Sequence, residues 1–138
     1  MRFISLLMLL SFLLISISCK DQITSTCETE INVNTPQGPV TLAWIQDNVF
    51  DTHCVSCHGS NLTQADLNLA DGQSYNNLVN IPATTSNLDR VKPGEPENSH
   101  LMERLTGEGA AIMPPAGPIN QALIDSVASW IERGAPQN

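Results

Sequence analysis

The sequence predicts an all-α domain with few short helices and long ordered loops, and three observations lead to that class. Two segments, "VTLAWIQDNVFDTH" (residues 40–53) and "QALIDSVASWIERG" (residues 121–134), place apolar residues on one helical face. The segment "EGAAIMPPAGP" (residues 108–118) contains three prolines and two glycines, which exclude both a helix and a central strand. No internal repeat and no strand–helix–strand alternation appears, so nothing indicates a parallel sheet.

Two helices are predicted in each half of this domain. The first begins at the N-cap Thr41, and a short second helix lies around residues 74–79. In the second half, Ser99 is the expected N-cap of a helix that ends at Gly107. Asn120 is the expected N-cap of the last helix. The apolar face of that last helix carries Leu123, Ile124, Val127, Trp130 and Ile131.

The N-terminus predicts export. After Arg2, the run "FISLLMLLSFLLISISC" (residues 3–19) is apolar apart from its serines. A short positive region followed by an apolar run is typical of a secretory signal peptide, which we expect over residues 1–18. A retained transmembrane anchor is the alternative interpretation of the same run.

The cysteine at the end of that run predicts a lipid anchor. Ser18 directly before Cys19 resembles the cleavage site of a bacterial lipoprotein, in which the cysteine is lipidated and becomes the new N-terminus. The alternative is a plain signal peptide, with Cys19 and Cys27 paired as a disulfide in an oxidising compartment. The polar residues 19–39 are expected to form a flexible tether, which leaves residues 40–138 for the domain.

The charge of the chain indicates what kind of partner it binds, and the size of the domain indicates a cofactor. Removal of residues 1–18 takes away Arg2 and changes the formal net charge from −8 to −9. An acidic chain argues against nucleic acid and favours partner proteins with a basic docking surface. The remaining domain of roughly 100 residues can bury only a thin core, so a cofactor is expected to help fill it.

The stretch "HCVSCHGS" (residues 53–60) carries the most specific chemistry in the chain. Two thiols three positions apart on one turn, Cys54 and Cys57, can each form a thioether with a haem vinyl group. The adjacent His58 then reaches the iron from the same side. A covalently attached haem also suits a small exported domain that needs additional core.

Two other chemistries compete for these cysteines. A thioredoxin-like disulfide requires a strand-to-helix junction in an α/β pattern, which is absent. A zinc site requires four ligands, and only Cys54, Cys57 and His100 are available, because Cys57 and His58 are neighbours that do not easily bind one ion together. We expect His53, which precedes the motif, to be a partly exposed helix-end residue outside the chemistry.

The sixth iron ligand is expected to be Met113. It lies in "IMPP", a loop stiffened by two prolines, so its thioether loses little entropy on binding iron. Met102, between two leucines of a predicted helix, is expected to belong to the core. His100 as the sixth ligand and an open sixth position are the alternatives.

Taken together, residues from about 41 to 135 resemble class I c-type cytochrome domains. The segment "VKPGEPENSHLMERLTG", followed by "MPP" and "WIERGA", is similar to the sequences of the planctomycete-type subgroup. The resemblance implies one haem c bound covalently through Cys54 and Cys57. It also implies His58 and Met113 as the axial ligands. The "GP" pair that commonly follows the motif is missing, so the carbonyl that orients His58 is left unassigned.

The resemblance also implies how the ends of the domain are built and how the haem is held. The terminal helices are expected to cross and pack through residues such as Trp44 and Trp130. Arg90 and Lys92 are candidates for pairing with the haem propionates, and a solvated turn is the alternative for both.

The expected function is one-electron transfer and not enzymatic catalysis. The carrier would be tethered to a membrane on its periplasmic side, with a soluble periplasmic protein as the alternative. The competing function is a haem-based sensor or ligand-binding module with a displaceable sixth ligand. A cytochrome peroxidase is disfavoured because such enzymes usually need two haems and the chain has one attachment motif.

Overall fold

A computed structural model describes residues 38–138 of the chain. The predicted signal peptide, the lipidation of Cys19, the alternative Cys19–Cys27 disulfide and all but the last two residues of the predicted tether lie outside the described residues. Within the described part, no helix is long and apolar enough to cross a membrane.

The described chain consists of short helices joined by long loops, as the sequence predicts. In the described part of the chain, the only strand is two residues long. The α-helical elements are α1 (Leu42–Ile45), α2 (Asp51–His53), α3 (Val55–His58), α4 (Ser74–Leu78), α5 (His100–Thr106) and α6 (Gln121–Glu132). A π-helical turn (Gln46–Phe50) joins α1 to α2, β1 is Leu62–Thr63, and 3₁₀ turns cover Gln64–Asp66 and Pro96–Asn98.

The first predicted helix is interrupted by the π-helical turn. Its start is confirmed, because the Thr41 hydroxyl accepts a hydrogen bond from the Trp44 N–H at 3.1 Å. Beyond it, the amide of the buried Gln46 side chain donates to the Asp51 carboxylate, five residues on, at 2.6 Å. The five-residue spacing of this side-chain bond matches the backbone spacing of a π turn, so the two reinforce each other.

The last predicted helix forms as expected. The Asn120 side chain accepts from the Ala122 N–H at 2.8 Å, which confirms the N-cap. The five apolar residues predicted for its inner face are all buried, and Trp130 is fully enclosed. Helix α6 contacts both α1 and α5, while Trp44 is only partly buried against the same core.

Helix α5 begins and ends as predicted. Gly107, with φ of 78°, provides the left-handed position that ends the helix. Ser99 is the N-cap residue, and its carbonyl accepts from the Met102 N–H at 3.0 Å, but its hydroxyl makes no bond to the first turn. Instead the hydroxyl donates to the Glu95 carbonyl and accepts from the Lys92 N–H, both at 2.9 Å. Ser99 therefore fastens the turn that precedes the helix.

Candidate cofactor site

A single open cleft gathers the predicted site residues. It has about 1010 Å³ of free space including its open side, and Cys54, Cys57, His58 and Met113 all line it. Its remaining walls are largely apolar.

Helix α3 presents the two thiols and the imidazole from one turn. The N–H groups of Cys57 and His58 both bond to the Cys54 carbonyl, at 3.1 and 2.9 Å. A Cβ atom on Gly59 would lie 2.5 Å from the Val55 carbonyl oxygen, so the residue after the motif has to be glycine. Gly59 was not among the site residues predicted from the sequence.

The His58 ring is held by a backbone carbonyl. Its Nδ1 lies 2.9 Å from the Gln64 carbonyl oxygen, which can only accept, so Nδ1 carries the proton and donates. The other ring nitrogen, Nε2, is then the unprotonated one and is available to a metal. Gln64 supplies the orienting carbonyl that the sequence left unassigned.

Both motif cysteines are free thiols. Within residues 38–138, neither Cys54 nor Cys57 is part of a disulfide. In the same range, no group of three or more His, Cys, Asp or Glu side chains is arranged to hold a metal ion. Burial raises the pKa of the Cys54 thiol from 9.0 to about 11, so this thiol is protonated at neutral pH.

A second segment that lines the cleft, the loop after helix α5, carries Met113. Its N–H donates to the Arg104 carbonyl at 2.6 Å, and the Arg104 guanidinium donates through Nη1 to the Ala111 carbonyl at 3.1 Å. These two bonds fix the loop to helix α5 on the side facing the cleft. Met102, by contrast, does not line the cleft and packs against the core, as expected.

Both ring nitrogens of His100 are engaged within the protein. Nδ1 is 2.5 Å from the Glu103 carboxylate, and Nε2 accepts from the Arg104 Nε at 3.1 Å. The Thr85 hydroxyl lies 3.2 Å from the same Nε2. His100 lines the cleft, but its nitrogens serve a hydrogen-bond network.

The structure places three other residues that the sequence pointed to at different positions relative to the cleft. Arg90 lines the cleft and is only 9 % exposed, so a solvated turn does not describe it. Lys92 lies outside the cleft and pairs with Glu95 at 2.8 Å on the surface. His53 is the partly exposed end of α2, as expected, yet it also lines the cleft, because the wall continues from α2 into α3.

The residues present fit a covalently attached haem. One largely apolar cleft is lined by two thiols on one turn, an imidazole with a free nitrogen beside them and a thioether from the loop after helix α5. Together with the helical architecture, this arrangement defines a c-type cytochrome domain.

Comparison with known families identifies the type. The model of the family described as planctomycete cytochrome C matches residues 54–117, a range that begins at the first motif cysteine and includes Met113. The match supports a planctomycete-type cytochrome c domain over these residues. This type implies a covalently bound c-type haem and an electron carrier in preference to an enzyme. No curated protein and no solved structure matches the chain.

Proposed function

We propose that the protein is a one-electron carrier with a single haem, whose iron is bound by His58 and Met113. One observation carries this proposal: the imidazole with a free Nε2 and the loop methionine, 55 residues apart in the chain, line the same cleft. The haem, when bound, supplies the iron that changes its oxidation state by one electron. With both axial positions filled, the iron has no place for a substrate.

The choice of Met113 as the second ligand is supported by elimination. Met102 packs in the core away from the cleft, and both nitrogens of His100 are hydrogen-bonded to neighbouring side chains. Of the two methionines in residues 38–138, Met113 is the one whose soft thioether lines the cleft.

The walls of the cleft are suited to electron transfer. Leucine side chains exclude water from much of the cleft, among them Leu67, Leu69, Leu101 and Leu105. A dry, apolar surrounding favours the iron state of lower net charge, and methionine ligation acts in the same direction by raising the potential. The open side of the cleft leaves an edge at which a partner protein can exchange the electron.

We further propose that the carrier is anchored on the periplasmic side of a membrane through lipidated Cys19. The lipoprotein-like cleavage site and the polar residues 19–39 support this arrangement. The described domain has eleven acidic and four basic residues, which supports a redox partner with a basic docking surface. Cys19→Ser should move the protein from the membrane fraction to the soluble fraction, while Cys27→Ser should leave it in the membrane. Release by neither variant would contradict the anchor.

The ligand assignment is tested with two methionine variants. The wild-type protein, produced in a haem-attaching host, should give a pyridine haemochrome spectrum of a c-type haem with one haem per chain. Met113→Ala should lower the reduction potential and allow carbon monoxide or cyanide to bind. Met102→Ala is the matched control and should leave both properties unchanged. An unchanged potential and spectrum in Met113→Ala would contradict the assignment.

A sensor or ligand-binding module is the second candidate. It is favoured by one observation: the bond between Arg104 and the Ala111 carbonyl, which helps to hold the Met113 loop, lies at the exposed surface. Such a loop can move away and free the sixth position. Rapid carbon monoxide binding by the unmodified ferrous protein would favour this function over electron transfer.

A further inference from the structure

We propose that Arg90 is a positioning residue for His58, which it orients through the loop Gln64–Asp66 and without touching the imidazole. Arg90 holds this loop in a strained backbone conformation, and the loop in turn supplies the carbonyl that accepts from His58 Nδ1. The inference rests on the proposed role of His58 as an iron ligand.

The loop is strained at two consecutive residues. Ala65 has φ of 56° and Asp66 has φ of 55°, so both lie in the left-handed region that residues with a Cβ atom avoid. Such residues persist only where the surrounding structure imposes the conformation, and they concentrate at functional sites. Neither residue is buried, so packing does not impose it here.

Arg90 provides the contacts that impose this conformation. Its Nη2 donates to the carbonyls of both Ala65 and Asp66, at 3.1 Å each. Its Nη1 donates to the Asn77 carbonyl at 2.9 Å, which anchors the guanidinium to helix α4. The planar fork of one guanidinium thus joins the two strained carbonyls to helix α4, and Arg90 itself is 25 residues from Ala65 in the chain.

The backbone of Arg90 is itself held on both sides. Its N–H donates to the Ile81 carbonyl at 2.7 Å, and its carbonyl accepts from the Leu101 N–H at 2.9 Å. The side chain therefore extends from a fixed point, and at 9 % exposure it competes little with water for its acceptors.

The carbonyl of Gln64 is aimed by the same turn. It accepts from the Leu67 N–H at 3.2 Å and from His58 Nδ1 at 2.9 Å, which uses both of its acceptor positions. If Ala65 and Asp66 relax to ordinary backbone angles, this turn opens and the carbonyl leaves His58. Arg90 is thus connected to the iron ligand by a chain of short contacts.

The test follows the His58 ring N–H in the holoprotein by NMR, as exchange with deuterated solvent. Arg90→Lys keeps the charge but lacks the planar fork, and we expect the ring N–H to exchange at least about tenfold faster, since the lost bonds are charge-assisted. We also expect the reduction potential to rise, because the Nδ1 hydrogen bond makes the imidazole a stronger donor to ferric iron. Arg133→Lys is the matched control, because Arg133 donates to the Val40 carbonyl and the Ser129 hydroxyl outside the cleft.

Four outcomes would count against the positioning role of Arg90 or against the proposed function itself. Unchanged exchange and potential in Arg90→Lys would overturn the proposal. A lower potential in Arg90→Gln with a wild-type potential in Arg90→Lys would overturn it as well, because Arg90 would then act only as a charge. Equal acceleration in Arg133→Lys would show a general loss of stability and would also overturn it. A wild-type protein without covalent haem, or without an axial histidine, would contradict the proposed function itself.

A second variant covers a failure to fold. If Arg90→Lys yields no holoprotein, Arg90→Lys combined with Ala65→Gly should restore it in part, because glycine adopts a positive φ without a Cβ clash. No recovery in the double variant would show that Arg90 supports the fold in general, and the positioning role would be abandoned.

Discussion

The two walls of the cleft carry one proposed iron ligand each, and they are held in different ways. His58 lies on a helical turn whose supporting loop is bonded to the buried guanidinium of Arg90. Met113 lies on a proline-rich loop that is held through Arg104, whose guanidinium bonds to Ala111 and Thr85 lie at the exposed surface. Hydrogen bonds shielded from water are stronger than exposed ones. We therefore expect the Met113 loop to be displaced more easily than the loop that supports His58.

The largest expected effect comes from truncating a core side chain of helix α6, which supports both walls of the cleft. Helix α6 contacts both α1 and α5, and Trp130 is fully buried in it, so Trp130→Ala should lower the free energy of unfolding by about 3–5 kcal/mol. Denaturant titration followed by haem absorbance and by far-UV circular dichroism should give coincident transitions. Trp44→Ala, at a partly buried site, should cost less. Two separate transitions in the Trp130 variant would show that the walls unfold independently.

Arg104→Ala should loosen only the Met113 wall. It removes guanidinium bonds to His100, Thr85 and Ala111, with an expected loss of about 2 kcal/mol in the free energy of unfolding. The ferrous protein should bind carbon monoxide faster than the wild type, while exchange of the His58 ring N–H should stay slow. Accelerated exchange at His58 would mean that the two walls are coupled.

Gly107→Ala should have a smaller effect on the same wall. An alanine at φ of 78° is strained, and its Cβ would lie 3.4 Å from the Cβ of Ile112 in the Met113 loop. The expected loss of stability is about 1 kcal/mol. Gly72→Ala is a matched control, because Gly72 has φ of 72° with open space around it. Faster carbon monoxide binding should therefore appear in the Gly107 variant alone, and equal rates in both would place the effect in the backbone angle only.

The smallest effect is expected at Lys92, outside both walls. The hydrogen bond between Lys92 and Glu95 lowers the pKa of the Glu95 carboxyl and raises the pKa of the Lys92 ammonium. The contribution of the pair is lost as the pH falls through the lowered pKa of Glu95, and again as the pH rises through the raised pKa of Lys92. Lys92→Gln should slightly lower the melting temperature near neutral pH, and the difference should vanish in acid. A changed reduction potential would argue that Lys92 acts on the haem.

The features that the sequence predicted depend on side-chain identity or on strong local patterns. The spacing of Cys54, Cys57 and His58 places them on one turn in any helix, and the apolar period of α6 is unambiguous. The end of helix α5 at Gly107 was predictable as well, because a glycine after a helix commonly adopts the left-handed backbone conformation.

What could not be predicted depends on backbone groups and on contacts between distant residues. The Gln64 carbonyl belongs to no motif, because every residue carries a carbonyl and only the folded chain shows which one faces His58. Arg90 was considered for the propionates, yet its partners are carbonyls on two other segments. Ser99 is the N-cap residue that the sequence predicted, but the bond of its hydroxyl to the turn before the helix was not predictable, because a serine hydroxyl has several possible local partners. The domain boundaries and the ligand set stay predictions.

The two ends of the described domain are bonded to each other. The N–H groups of Leu42 and Ala43 donate to the side-chain and backbone oxygens of Asn138, both at 3.2 Å, across 96 residues for the first bond. A contact across so many residues closes a long loop, so we expect it to form late in folding. Cys54 and Cys57 lie within that loop, and we expect their thiols to be accessible to haem attachment before it closes.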